Sequence, residues 1–344
     1  MEDVVQNLVS TIIPAYDRPE MLREAVESVL AQTYRPVEVI VSDDGSTDDA
    51  VAAADALARA HPDVVRVIHG PHRGPGPARE AGRQLARGEF IQYLDSDDRL
   101  LPRKFAVQVG ALRAHPDCGA AYGFIRLCPE GEPPRAEPYK WSGRALPTLF
   151  PDLLVDRWWN TDCPLFRRSV TDAVGPWTDL RYSQDWEYDA RVGALGTRLV
   201  QCPEFVCEQR QHAQARQTGH GAWLDPPDRV RFFTLLHAHA CRAGVPPASA
   251  HMRHFSRWVF SQARQCGALG DAAAARRLYA LAASAVPEKD MTLRAVGWAA
   301  RLLGWRLTGR LCAARDRFAG GRAGADSRRQ SWMAAESARG QADP

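Results

Sequence analysis

Apolar residues along the chain gather in short continuous runs, separated by longer stretches with helical spacing. The runs at 8–13, 37–41, 64–69, 90–95 and 118–127 are mostly uninterrupted by polar residues. Continuous rather than alternating apolarity suits strands covered on both faces. Between the first two runs, Leu22, Val26, Val29 and Leu30 fall on one face of a helix over 18–32. Asp17 stands where its N-cap would be, and Pro19 lies in its first turn. Residues 48–60, 77–87 and 102–115 read as three more helices. Strands alternating with helices predict an α/β fold built on a doubly wound, mostly parallel, Rossmann-like sheet.

Periodicity then breaks down. Residues 128–157 are rich in proline and arginine and have no clear repeat, so they read as a long irregular segment, a mobile loop. Residues 160–166 read as a strand, LRYSQDWEYDARVGALG as a helix, and 197–208 as a last strand. From Asp225 the composition shifts to Ala, Leu and Arg, and helices are expected over 230–243, 251–266, 271–285 and 291–318. The expected organisation is a first domain over 1–224, a C-terminal helical annex over 225–318 and a disordered polar tail over 319–344.

Composition narrows the classes. The 344 residues are 45% hydrophobic and 25% charged, an ordinary globular balance, and a net charge of +3 does not suggest a nucleic-acid partner. None of the eight cysteines forms a C-x-x-C pair, so they read as reduced and structural. The first ten residues lack a signal-peptide pattern, no run is apolar enough to span a membrane, and a cytoplasmic location is expected.

The chemistry concentrates at strand ends. VIVSDD ends in Asp43 and Asp44, and FIQYLDSDD ends in Asp95, Asp97 and Asp98. Between them lies the basic glycine-proline loop HRGPGPAR. Ligands of open α/β sheets bind at the carboxyl ends of strands. Acids crowded there invite a hard divalent cation, and Mg²⁺ characteristically bridges carboxylates to substrate phosphates. The loop lacks the third glycine of a dinucleotide fingerprint, and DDGSTDD lacks the spacing of a calcium loop. His251 and His254 have no third ligand in sight and read as a solvated pair.

Five motifs in order, STIIPAYDRPEMLREAVESVLAQTY, VIVSDDGSTDD, GPGPAREAGRQLARGEFIQYLDSDD, LRYSQDWEY and QRQHAQ, resemble those of family 2 glycosyltransferases with the GT-A fold. The resemblance covers roughly residues 8–220. It implies inverting transfer of a sugar from a nucleotide diphosphate sugar, most commonly a UDP-sugar, to an acceptor hydroxyl with Mn²⁺ or Mg²⁺. By resemblance, Asp185 is the general base, with Glu187 the second choice. Asp97 and His212 are metal ligands. Pro14, Ala15, Tyr16, Asp44, Arg79 and Asp95 bind the nucleotide sugar. The family's aromatic-arginine pair before the histidine reads Gln209-Arg210 here.

The acceptor, whether glycan, lipid-linked or small molecule, is not encoded legibly. Two alternatives stay open: a non-catalytic sugar-nucleotide or glycan-binding protein, and a sugar nucleotidyltransferase. The loop PAYDRPE, which is not glycine-rich, counts against the latter. Residues 291–318 interleave Trp and Leu with Arg. They are compatible with peripheral contact at the inner face of an anionic membrane, or with packing on the first domain with solvated arginines.

Overall fold

The computed structural model describes residues 4–212, 225–287 and 291–318. The expected tail at 319–344, and the end of the QRQHAQ motif, lie outside the described residues. Two compact units divide the rest: residues 4–150 with 157–212, and residues 151–156 with 225–287 and 291–318.

The first unit holds β1 (Val5–Ala15), α1 (Pro19–Leu30), β2 (Val37–Asp43), α2 (Asp48–Ala60), β3 (Val65–His69), α3 (Pro75–Leu85), β4 (Gly88–Tyr93), β5 (Arg99–Leu100), α4 (Lys104–Ala114), β6 (Ala120–Cys128), β7 (Leu165–Arg167), α5 (Arg168–Val174), α6 (Gln184–Ala194) and β8 (Leu199–Arg210). The strands form one sheet in the order β3-β2-β1-β4-β7-β6-β8-β5. The half made of β3, β2, β1 and β4 is wholly parallel, as the continuous apolar runs predict. Its strands supply the core: Val9, Ile12, Ile13, Val39, Ile40, Val41, Phe90 and Ile91 are fully buried. In the other half β7 runs antiparallel to β4 and β6, β5 runs antiparallel to β8, and β6 and β8 are parallel. The sheet is therefore mixed, with parallel pairs in the majority.

Register decides what meets at the strand ends. Ala15 lies beside Asp43, and Ile12 beside both Ile40 and Tyr93. Residues 14–16, 43–44 and 94–98 thus leave neighbouring strands at one edge. α3 packs against β1 and β2. It comes close at Gly76, where an added Cβ would stand 2.1 Å from the Thr178 carbonyl oxygen. Replacing Gly76 with alanine should cost about 1–3 kcal/mol by overpacking and tilt the helix turn that carries Arg79. A denaturant midpoint equal to that of wild type would show that this contact yields.

Four expectations need correction. The segment expected as a mobile loop is packed in its later part, where Trp141, Leu146 and Leu149 are buried, while residues 130–137 are exposed. The Tyr122 hydroxyl donates to the Arg144 carbonyl and accepts from Leu146 N–H at 2.7 Å. The strand expected over 160–166 shrinks to β7. Pro164 has no N–H for a ladder, and Asn160 and Asp162 bond to each other instead. Asp17 does not cap α1. Its carboxylate accepts Thr47 N–H at 2.7 Å, which ties the end of β1 to the turn before α2. This hydrogen bond is the main reason that its carboxyl lies below the usual range. Finally, His251 is not a solvated histidine, for its Nε2 lies 3.4 Å from Asp152.

The second unit contains α7 (Pro226–Arg242), α8 (Ala250–Leu269), α9 (Ala272–Ser284) and α10 (Met291–Phe318). Ser249 caps α8 by accepting Met252 N–H, and Asp271 caps α9 by accepting Ala274 N–H. α10 is kinked at Gly304, whose φ of 78° only glycine adopts readily. No helix among the described residues is long and apolar enough to cross a membrane.

Candidate active site

Two hydrogen-bonded turns build the site at the strand edge. After β2, Asp44 N–H donates to the Ala15 carbonyl, and the buried Asp44 carboxylate accepts Arg73 N–H at 2.7 Å and Gly74 N–H at 2.8 Å. Asp44 thereby pins the glycine-proline loop beside Ala15, and its carboxylate also faces His72 Nδ1 at 3.1 Å. Tyr16 lies exposed above this turn with its ring 4.3 Å from that of His72. Pro14, Ala15, Tyr16 and Asp44 are thus brought together, as the motifs predict.

After β4, the turn Asp95-Ser96-Asp97-Asp98 closes through Asp98 N–H to the Asp95 carbonyl. The carboxylates of Asp95, Asp97 and Asp98 offer oxygens that all lie within 4.8 Å of one another. Asp97 faces Arg18 at 2.6 Å and His212 Nε2 at 3.0 Å. His212 arrives from the end of β8, 115 residues further along the chain. Arg210 fastens that strand end to the turn: its N–H donates to Asp98 and its guanidinium to the Asp97 carbonyl and Glu24. The arginine of the Gln209-Arg210 pair therefore has a structural task that fixes where His212 stands.

A fourth carboxylate, Asp162, was not legible in the sequence. It accepts Asp95 N–H at 2.8 Å and lies against Asp98. Burial, then the charge of Asp95, pushes its carboxyl up. Burial, then Asp162 and Asp97, pushes Asp98 well above the ordinary value. Burial and crowding by neighbouring acids disfavour the charged forms of Asp98 and Asp162, a condition that a bound cation relieves.

Arg79 sits on α3 and pairs with Asp95 through Nη2. Its guanidinium stacks over Trp177 at 4.8 Å. Its Nε and Nη1 are buried with no partner among the described residues. Two buried cationic donors without a partner among the described residues are suited to an anion.

Trp177 ties the second half of the site to the first. It stacks on Tyr188 of α6 at 4.1 Å and meets Tyr93 of β4 edge-on at 4.8 Å. Such pairs hold α3, β4 and α6 in fixed relation. Asp185 lies in the first turn of α6, accepts Trp186 N–H and pairs with Arg157 at 2.5 Å. Arg157 is itself held by buried Asp189 at 2.6 Å, which also accepts Trp159 Nε1–H. Burial alone would raise the Asp185 carboxyl. Arg157, with Arg79 and Lys140, outweighs burial and holds it below the usual value. Asp185 is therefore ionised at neutral pH and partly exposed. Glu187, the second choice as base, is buried and paired with Arg191 at 2.9 Å. Arg157 and Asp189 went unrecognised in the sequence because their partners lie 28 and 32 residues apart across a segment without period.

Residues 10–171 match the family model described as Glycosyl transferase family 2. The protein named Glycosyltransferase GlyG of Streptococcus pneumoniae is 39% identical over 95 residues, 27% of this chain and 31% of its own length. The chain spans 15% to 34% of the length of such curated relatives. Among solved structures, S. aureus TarS 1-349 in complex with UDP-GlcNAc is 16% identical with a TM-score of 0.67, over 88% of this chain and 90% of that one. The mannosyltransferase PcManGT of Pyrobaculum calidifontis, in complex with GDP-Man and Mn²⁺, is 20% identical with a TM-score of 0.50, over 90% of this chain and 86% of that one. At these identities the two structures show a common GT-A fold.

Proposed function

Because residues 10–171 form a glycosyl transferase family 2 domain, we propose that the chain moves a sugar from a nucleotide diphosphate sugar to an acceptor hydroxyl, with inversion. The observation that carries this reading is the meeting of Asp97 with His212 beside the Asp95–Arg79 pair, with Asp185 within the field of Arg79. These are the groups that a metal-assisted displacement needs at one strand edge.

Tyr16 and Asp44 line the nucleoside side, and UDP is the nucleotide proposed, since the TarS neighbour was crystallised with UDP-GlcNAc. Arg79 turns its two unpartnered donors to the donor phosphates. Asp97 and His212, with Asp95 beside them, would hold a divalent cation. Carboxylate oxygens and an imidazole fit Mn²⁺ or Mg²⁺ chemistry. Such an ion neutralises the charge that grows on a departing diphosphate. Arg18 occupies Asp97 at 2.6 Å and must share that oxygen. On the acceptor side, Asp185 takes the hydroxyl proton as the oxygen attacks from the face opposite the diphosphate.

Arg157 is a positioning residue for this base. It orients the Asp185 carboxylate and keeps it ionised. Rate requires the carboxylate, so it rises as pH climbs through the Asp185 pKa. Replacing Arg157 with glutamine lets burial dominate, raises that pKa and moves the acidic limb of the kcat profile to higher pH, while Arg157→Lys restores part of the shift. The glutamine variant also loses stability by about 3–5 kcal/mol, because Asp189 is left buried and unpaired. An unchanged acidic limb would show that Arg157 does not set the base. The reaction itself is tested by nucleoside diphosphate release from UDP-sugars and GDP-sugars. Release that depends on an added acceptor and on Mn²⁺ supports the proposal. Pyrophosphate release from nucleoside triphosphates would instead identify a nucleotidyltransferase.

A further inference from the structure

α10 packs on α8 and α9 by a face that includes Gly297 and Gly309 and has a large apolar face that the described residues leave uncovered. Gly297 approaches Tyr279 and Gly309 approaches the Ala268 backbone so closely that a Cβ at either would clash. Leu293, Ala300, Trp305 and Thr308 are buried on the same side. Outward stand Met291, Trp298, Leu302, Leu303, Leu307 and Leu311, which are six of the twelve large hydrophobic side chains exposed among the described residues. Leu302 is 80% exposed and Trp298 59%. Exposed arginines 294, 301, 306 and 310 flank this face, with Arg301 over the Trp298 ring at 5.4 Å. No Asp or Glu occurs from Met291 to Arg315.

We infer that α10 is a docking surface for an anionic lipid bilayer, lying in the interface with its leucines and Trp298 among the upper acyl chains. The mixture of chemistries selects this occupant. Leucines in a row are poor ligands for nucleic acid, whose phosphates ask for cations and whose bases ask for stacking. A second copy of this chain would set arginine rows against arginine rows, with no acid between Met291 and Arg315 on either helix to compensate. Residues 319–344 carry only two large apolar side chains, Trp332 and Met333, too few to cover six. An anionic membrane answers both features at once: acyl chains for the apolar face and headgroup charge for the arginines. The kink at Gly304 does not interrupt the face, since Leu302 and Leu303 precede it and Leu307 and Leu311 follow it. The inference does not depend on the donor chemistry proposed above.

The test is co-sedimentation of the full chain with phosphatidylglycerol-containing vesicles and with pure phosphatidylcholine vesicles. The full chain should pellet with the anionic vesicles at least about tenfold more strongly than with the neutral ones. Binding should weaken as salt rises from about 0.1 M to about 1 M, which cuts the screening length from about 10 Å to about 3 Å. Leu302→Asp with Leu307→Asp should abolish binding, and Arg301→Gln with Arg306→Gln and Arg310→Gln should weaken it at least about tenfold. All these side chains are exposed, so unchanged melting temperatures are expected for both variants. Equal binding to both vesicle types, no binding to either, or full binding by the leucine variant would overturn the inference. So would a concentration-dependent dimer that the leucine variant dissolves in the absence of vesicle affinity.

Discussion

Replacing Asp185 with asparagine leaves donor and metal affinity intact and lowers turnover by at least about 10²-fold. Asparagine keeps the shape and still accepts Trp186 N–H, so the first turn of α6 is preserved. What disappears is the charge proposed to receive the acceptor proton. Arg157 retains Asp189 as its partner, so the surrounding packing survives. The measurement is nucleoside diphosphate release at saturating donor, with donor affinity followed separately by calorimetry. A binding-only protein would show no turnover in either form, while near-normal turnover in the variant would remove Asp185 as the base.

Replacing Asp97 with alanine abolishes the dependence of donor binding on divalent metal. Removal of a direct ligand should weaken metal affinity beyond the roughly 10–100-fold typical of outer contacts. Affinity in Mn²⁺ then falls to the value seen in EDTA. Arg18 and His212 both lose their shared partner, so a melting curve must accompany the titration to show that the variant is folded. Unchanged Mn²⁺-dependent affinity in a folded variant would place the metal elsewhere. His212→Ala should act in the same direction with a smaller effect, because the Asp95 and Asp97 oxygens remain.

The parallel half of the sheet was legible because each strand is a continuous apolar run bounded by turn residues, and the acids fall at its carboxyl ends. Asp44, Asp95, Asp97 and Arg79 were readable for the same reason: local order alone sets them on one edge. His212 was readable only through the motif set, since nothing local says that β8 returns its end to Asp97. The antiparallel half was less legible. β5 has two residues and β7 three, and both owe their conformation to neighbours distant in the chain. Residues 141–150 have no period because their order comes from buried Trp141 and from Tyr122 bonding to the backbone of Arg144 and Leu146, which leaves no repeating pattern. Asp162, Arg157 and Asp189 were invisible for a related reason: each acquires meaning only from the groups that the fold sets opposite it. The exposed face of α10 was visible as composition, but only its packing on α8 and α9 shows which side chains remain outside.

The most direct measurement is the thermal stability of the purified chain with a panel of nucleoside diphosphates and nucleotide sugars, each in Mn²⁺, Mg²⁺ or EDTA. A ligand that binds only the folded state adds about 2.7 kcal/mol at a hundred times its dissociation constant. Stabilisation is expected from one nucleoside diphosphate and its sugar, UDP foremost, in Mn²⁺ but not in EDTA. That stabilisation should be absent in Asp97→Ala. A folded protein that no nucleoside diphosphate stabilises, or one stabilised equally in EDTA, would contradict it.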